Sequence, residues 1–200
     1  MEAATEAFAT LGYRNTLIEQ LCAAAGISAR NFYEEFSGKE EILYALFDEI
    51  SERARQAVVA AVDAADPESF QARMLAAVTA YLQMVTADAR LSRIIHIESI
   101  GVSVEMEKHR QVVLTEFASI IEREANRMAA LGLAPKRDYS LTVIGLIGAV
   151  RAMAVAAATA SKNAEDLERV AAELAHIMAV SVLQLPTSKA ADAKPRRSRS

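Results

Sequence analysis

Apolar residues recur every three to four positions over most of the chain, the spacing that puts one face of an α-helix against a core. Ile42, Leu43, Leu46 and Ile50 form one such stripe and Val102, Met106, Val113, Phe117, Ile120 and Ile121 another, and no comparable run alternates with the period of two of a half-buried strand. The expected fold is all-α, with about nine helices.

Punctuation residues place the boundaries. Gly12 is expected to stop the first helix near Leu11 in a left-handed turn, with Tyr13 folding back on Phe8. Thr16 and Glu19 predict a capping box opening a short second helix, with Ile18, Leu21 and Cys22 on its inner side. Ala25-Gly26-Ile27 predicts a tight turn, and Ser28 the N-cap of a third helix. Ser37 and Glu40 predict a second box and a long helix running towards Val62. Asp66-Pro67 predicts a start at Pro67 and a helix to about Thr86. Further helices are expected over Ala89–Glu98, from beyond Gly101 to Gly132, over Tyr139–Ala160 and over Ala164–Leu185, with Asn163 as a cap and Pro186 beyond the end. Three organisational units follow, namely a head of residues 1–45, a body of 46–185 and a basic, disordered tail of 186–200 carrying Lys189, Lys194, Arg196, Arg197 and Arg199.

Composition narrows the class. An apolar fraction of 52% in 200 residues supports a substantial core, and 7 Gly with 4 Pro leave few helix breakers. The lone Cys22 forms no internal disulfide and the first residues carry acids where an export signal would be basic, so a reducing cytoplasm is expected. Leu141 to Ala160 is apolar but interrupted by Arg151 and rich in alanine, so no membrane span is expected. His96, His109 and His176 are too dispersed for a metal set, no acid, base and nucleophile converge in the sequence, and neither an enzyme nor a bound cofactor is expected.

The segment Phe8-Ala-Thr-Leu-Gly-Tyr-Arg-Asn-Thr, followed by Ile18 to Leu21, Ala24-Ala-Gly-Ile-Ser, Phe32-Tyr33, Phe36 and Lys39-Glu40, resembles the DNA-binding head of the tetracycline-repressor (TetR) family. The resemblance covers roughly residues 3 to 47. It implies a helix-turn-helix whose third helix enters the major groove of double-stranded DNA. Arg30 and Asn31 would reach base edges, Arg30 with a fork suited to guanine and Asn31 with an amide suited to adenine. Ser28 would cap the recognition helix, and Thr16, Tyr33 and Lys39 are placed for phosphates by analogy with the family. Each also has a plain structural reading, with Thr16 and Ser28 as caps, Tyr33 and Phe36 sealing a small core and Arg30 as a solvated charge.

Charge runs against this implication. The formal net charge is −4, and residues 1–45 carry Arg14, Arg30 and Lys39 against Glu2, Glu6, Glu19, Glu34, Glu35, Glu40 and Glu41. Leu17 replaces the usual Ser or Thr of the family, and Glu34 and Glu35 stand where non-acidic residues are common. The basic tail could add nonspecific attraction to phosphates or simply aid solubility.

The stretch Leu91 to Arg110 looks like the junction between the sixth and seventh helices of a subgroup of the same family. Candidate effector-pocket residues are Tyr81, Met84, His96, Phe117 and Arg151, polar or aromatic groups on apolar helices; core packing is the alternative for Tyr81, Met84 and Phe117, and a structural salt bridge for Arg151. Gly145, Gly148, Ala152, Ala156, Ala171, Leu174, Met178 and Val182 allow close helix approach. The resemblance makes these last two helices a homodimer bundle; intrachain core is the alternative. The expected function is a dimeric, ligand-responsive transcriptional repressor released from a pseudo-palindromic operator by a small molecule. The competing expectation is a ligand-binding or scaffold dimer whose head no longer reads DNA.

Overall fold

The structure is a computed structural model that describes residues 1–159 and 164–183. Among the described residues it is all helical: α1 Glu2–Thr10, α2 Ile18–Ala25, α3 Ala29–Glu35, α4 Lys39–Ala64, α5 Phe70–Thr86, α6 Ala89–Arg93, α7 Val104–Ala130, α8 Ser140–Thr159 and α9 Ala164–Val182. Helix α6 runs directly into a π-helical turn, Ile94–Glu98, in which the Ser99 N–H reaches back to the Ile94 carbonyl at 3.1 Å. The expected cap at Asn163, the helix end at Leu185 and Pro186 and the whole basic tail lie outside the described residues.

Several expected boundaries hold for the expected reason. Gly12 has φ +86°, and Tyr13 packs edge-on to Phe8 with ring centroids 5.4 Å apart. Gly26 closes α2 at φ +67°, a conformation in which a Cβ is strained. The Ser28 hydroxyl accepts from the Asn31 N–H at 3.1 Å, capping α3. At the far end of α7 Gly132 has φ +76° and the Leu133 N–H bonds the Met128 carbonyl.

Other boundaries shift because a competing partner wins. Thr16 and Glu19 make no capping box: Thr16 is fully buried and its hydroxyl donates to the Gly12 carbonyl at 2.9 Å, while the cap of α2 is Leu17, whose N–H bonds Gln20 Oε1. The second box uses Glu41 instead of Glu40, with Ser37 donating through both its N–H and its hydroxyl. Glu40 turns instead to the Ser103 hydroxyl. Helix α5 begins at Phe70, because Asp66 closes a turn onto Glu68 and the Ser69 hydroxyl caps at the Ala72 N–H, so Pro67 lies before the helix.

Among the described residues two large cores and a small cluster of Val58, Val62, Ala77 and Ile120 share one continuous body. One joins Phe70, Met74, Val78 and Leu82 of α5 to α7, α8 and α9. The other joins Phe8, Leu21, Phe32 and Leu43 of the first four helices to Val85, Ile94, Ile95 and Met106. Helix α4 passes from the first four helices into the body without a break, so the two parts are fastened along one rod. A buried ion pair crosses the first core, with Arg73 Nε and Nη2 on Glu124 at 2.8 and 2.9 Å and Arg127 adding a third bond. Burial raises the Glu124 pKa, but the hydrogen bonds and charges of Arg73 and Arg127 outweigh it and hold the carboxyl below its ordinary value.

The last two helices divide the small-residue set unequally. Ala171, Leu174, Met178 and Val182 of α9 lie in the chain's own core, whereas Gly145, Gly148, Ala152 and Ala156 of α8 face outward beside Leu141 and Ile144. Ser140–Ala157 is therefore long and apolar enough to cross a membrane by length and composition, with 22% of it buried.

Candidate nucleic-acid interface and buried cavity

The chain from Ala23 to Asn31 is exposed throughout, an uninterrupted surface made by the end of α2, the Gly26 turn and the start of α3. Phe32 anchors α3 from behind at 2% exposure, against Tyr33 and Phe36. This leaves Ser28, Arg30, Asn31 and Tyr33 on one outward face, with Tyr33 58% exposed. Arg30 Nε bonds Glu34 one turn later at 3.0 Å.

Thr16 and Lys39 are placed differently from the expectation of phosphate contact. Thr16 is inside. Lys39 Nζ donates to the carbonyls of Tyr13, Arg14 and Thr16 at 2.8, 3.2 and 2.8 Å and lies 4.7 Å from the centroid of the Tyr13 ring. Its ammonium thus closes the loop between α1 and α2, because carbonyls past a helix end need donors. Arg14 likewise turns to the body, to the Gly101 carbonyl at 3.0 Å.

The glutamates sort in the same way. Glu2 and Glu6 bind Arg90 at 2.8 and 2.9 Å, Glu40 binds Ser103, Glu41 caps and Glu34 is paired with Arg30. Much of the head's acidity is thereby spent on the joint with the body. The π turn supplies the rest of that joint: Glu98 accepts from the Tyr13 N–H at 2.8 Å and from Arg93 Nε at 2.9 Å.

Behind the joint a cavity of about 80 Å³ lies between α4, α5, α7 and α8. Of the expected pocket residues Tyr81, His96, Phe117 and Arg151 line it, whereas Met84 packs against the core of the first four helices. Its walls are mainly apolar, from Val78, Phe117, Ile120 and Val150 among others, but four polar groups meet at one side. The Tyr81 hydroxyl and His96 Nε2 are 3.2 Å apart. Burial pushes the His96 pKa down to about 4, aided by the charges of Arg151 and Arg110, so the ring is neutral near neutral pH. Burial also raises the Tyr81 pKa above its ordinary value, against the pull of the two arginines.

Arg110 is the member that the sequence reading missed. It sits on the inward stripe between Met106 and Val113, which is the signal that could have found it. It is 3% exposed; Nη1 donates to the Ile95 carbonyl at 2.9 Å and the Ser99 hydroxyl at 2.6 Å, and Nε reaches Glu107 at 3.3 Å. Arg151 has no carboxylate or hydrogen-bond partner among the described residues, and the salt bridge expected for it is not found there.

Residues 1–46 match the family model of bacterial regulatory proteins of the tetR family. No curated protein matches the sequence. Among solved structures, a tetR-family regulatory protein from Rhodococcus RHA1 is 21% identical with a TM-score of 0.72, over 90% of this chain and 93% of that one. The regulator FadR from Bacillus subtilis in complex with stearoyl-CoA is 17% identical with a TM-score of 0.75, over 90% and 96%. AibR in complex with isovaleryl coenzyme A and operator DNA is 17% identical with a TM-score of 0.67, over 88% and 94%. At these identities the likeness establishes the shared fold, while the match at the head rests on sequence. Residues 1–46 thus match the N-terminal domain of the tetR family, and the chain as a whole shares the fold of solved TetR-family regulators.

Proposed function

We propose that the protein is a ligand-responsive transcriptional repressor, with a DNA-binding head of residues 1–45 on a regulatory and dimerisation body of 46–185. The observation that carries this reading is the Ser28-capped α3, which holds Arg30, Asn31 and Tyr33 on an exposed face within the segment that matches the family model. Arg30 and Asn31 read base edges and Tyr33 a phosphate, while Ser28 orients the helix. Thr16 and Lys39 act by holding the loop beneath that helix. The apolar face of α8 packs on a second copy, which gives two recognition helices for a pseudo-palindromic site. The protein works by binding in the cytoplasm, without catalysis.

Effector binding reaches the head through the π turn. Arg110 grips that turn at Ile95 and Ser99, and Glu98 of the same turn holds Tyr13. A ligand that draws Arg110 into the cavity therefore pulls on the loop that orients α2 and α3, and operator binding weakens ligand binding by the same factor. The neighbours FadR and AibR were solved with acyl-coenzyme A ligands, and the apolar walls here suit an effector with an acyl or comparable apolar part.

The test is binding of the full-length protein to DNA from its own promoter region across a salt series, with Arg30→Ala and Glu34→Gln. Sequence-specific binding, lost in the first variant and tightened in the second by roughly threefold to tenfold as a carboxylate leaves the interface, supports the reading. Binding no tighter than to random DNA, unchanged by either variant, favours a ligand-binding dimer with a silent head, which the pairing of Arg30 with Glu34 would then explain.

A further inference from the structure

Arg151 is a cation on the wall of an apolar cavity with no described carboxylate beside it. Arg110, on the same wall, spends Nε and Nη1 on Glu107, Ile95 and Ser99 and leaves Nη2 without a partner among the described residues. The two guanidiniums act on each other electrostatically, and both act on Tyr81 and His96. Arg110 is almost fully buried and Arg151 partly exposed; two like charges facing one small cavity repel, and an anion between them relieves that repulsion and supplies the missing hydrogen-bond acceptors. The carboxylate of Glu107 is on the outer side, with its side chain 57% exposed, and does not fill this role.

We propose that the effector is a small organic carboxylate, whose anionic head is held by Arg151 and the free Nη2 of Arg110 beside Tyr81 and His96 and whose apolar part lies against Phe117, Ile120 and Val150. This rests on the regulator reading above only for the word effector; the anion site stands on the cavity itself. Arginine suits the task because its planar fork matches a carboxylate with two parallel hydrogen bonds. A cavity of about 80 Å³ takes roughly five to eight water-sized spheres, which corresponds to an acid of roughly six to ten non-hydrogen atoms. A free acid fits better than an acyl-coenzyme A, since the thioester group itself is neutral and the coenzyme with its phosphates is far larger than a cavity of about 80 Å³.

The test is calorimetric titration of the full-length protein with octanoate and phenylacetate, with octanamide and phenylacetamide as neutral isosteres, and with octanoyl-CoA. At least one acid is expected to bind roughly 30-fold or more tighter than its amide, the value of one charge-assisted bond pair. Arg151→Gln should weaken that acid by about tenfold or more, and Arg151→Lys should retain part of the affinity, with thermal unfolding of both variants confirming an intact fold. Equal binding of acid and amide, an acid affinity untouched in Arg151→Gln, binding of octanoyl-CoA alone, or no binding by either acid at about 10 mM would each overturn the proposal. Promoter binding in the same preparation separates the two readings. DNA binding without acid binding removes the anion site and leaves the regulator, and acid binding at Arg151 without DNA binding does the reverse.

Discussion

Replacing Lys39 with Met separates a structural cation from a DNA-facing one. The ammonium donates to three carbonyls of the loop between α1 and α2, at 2.8, 3.2 and 2.8 Å, and lies over the Tyr13 ring. A hydrogen bond from a charged donor is worth about 1.5–3 kcal/mol net. Three that share one ammonium are not additive, and the loop keeps some contact with water, so a total loss of about 2–4 kcal/mol is expected. Methionine keeps most of the aliphatic stem, which confines the change to the head group. At roughly 2–4 °C per kcal/mol for a protein of this size, the melting temperature followed by circular dichroism should fall by about 4–16 °C. The slope of log Kd against log salt for promoter DNA should stay unchanged, because no phosphate contact is removed. An unchanged melting temperature together with a slope smaller by about one unit would refute the structural role and return Lys39 to the phosphate-binding set.

The buried pair of Arg73 and Glu124 makes a second expectation: Arg73→Met strands the carboxylate on Arg127 alone and should cost about 3 kcal/mol, while Arg73→Met combined with Glu124→Leu should recover most of that loss by thermal unfolding; a double variant as unstable as the single one would show that packing, not charge, sets the cost. His96 supplies a third. Its pKa is depressed from 6.5 to about 4 in the fold, so the unfolded chain binds more protons between those values. Its contribution is complete above about pH 6.5 and lost as pH falls towards 4, a total of about 3 kcal/mol by linkage. Comparing wild type with His96→Asn in urea unfolding between pH 7 and 4 reads this directly, and equal pH slopes for the two proteins would show that His96 does not carry the loss.

Periodicity and punctuation alone determine the helical class, the turn at Gly26, the Ser28 cap and the stop at Gly132, because these depend on neighbours within a few residues. The same holds for the order of motifs that marks the head, and for Tyr81, His96, Phe117 and Arg151 as polar or aromatic breaks in apolar stripes. Tertiary structure decides what long-range partners compete for. Thr16 gives up its cap because burial brings the Gly12 carbonyl within reach, and Lys39 turns to the α1–α2 loop because three carbonyls outbid water for its ammonium. Glu2, Glu6 and Glu40 of the head are drawn to Arg90 and Ser103 in the body, contacts between residues more than sixty positions apart that no local pattern encodes. The split between α8 and α9 is decided in the same way, since which small-residue stripe is core depends on where α5 lies. Arg110 and Arg151 converge on one cavity only because α7 and α8 pack side by side; apart in sequence, each reads as a solitary charge on an apolar helix.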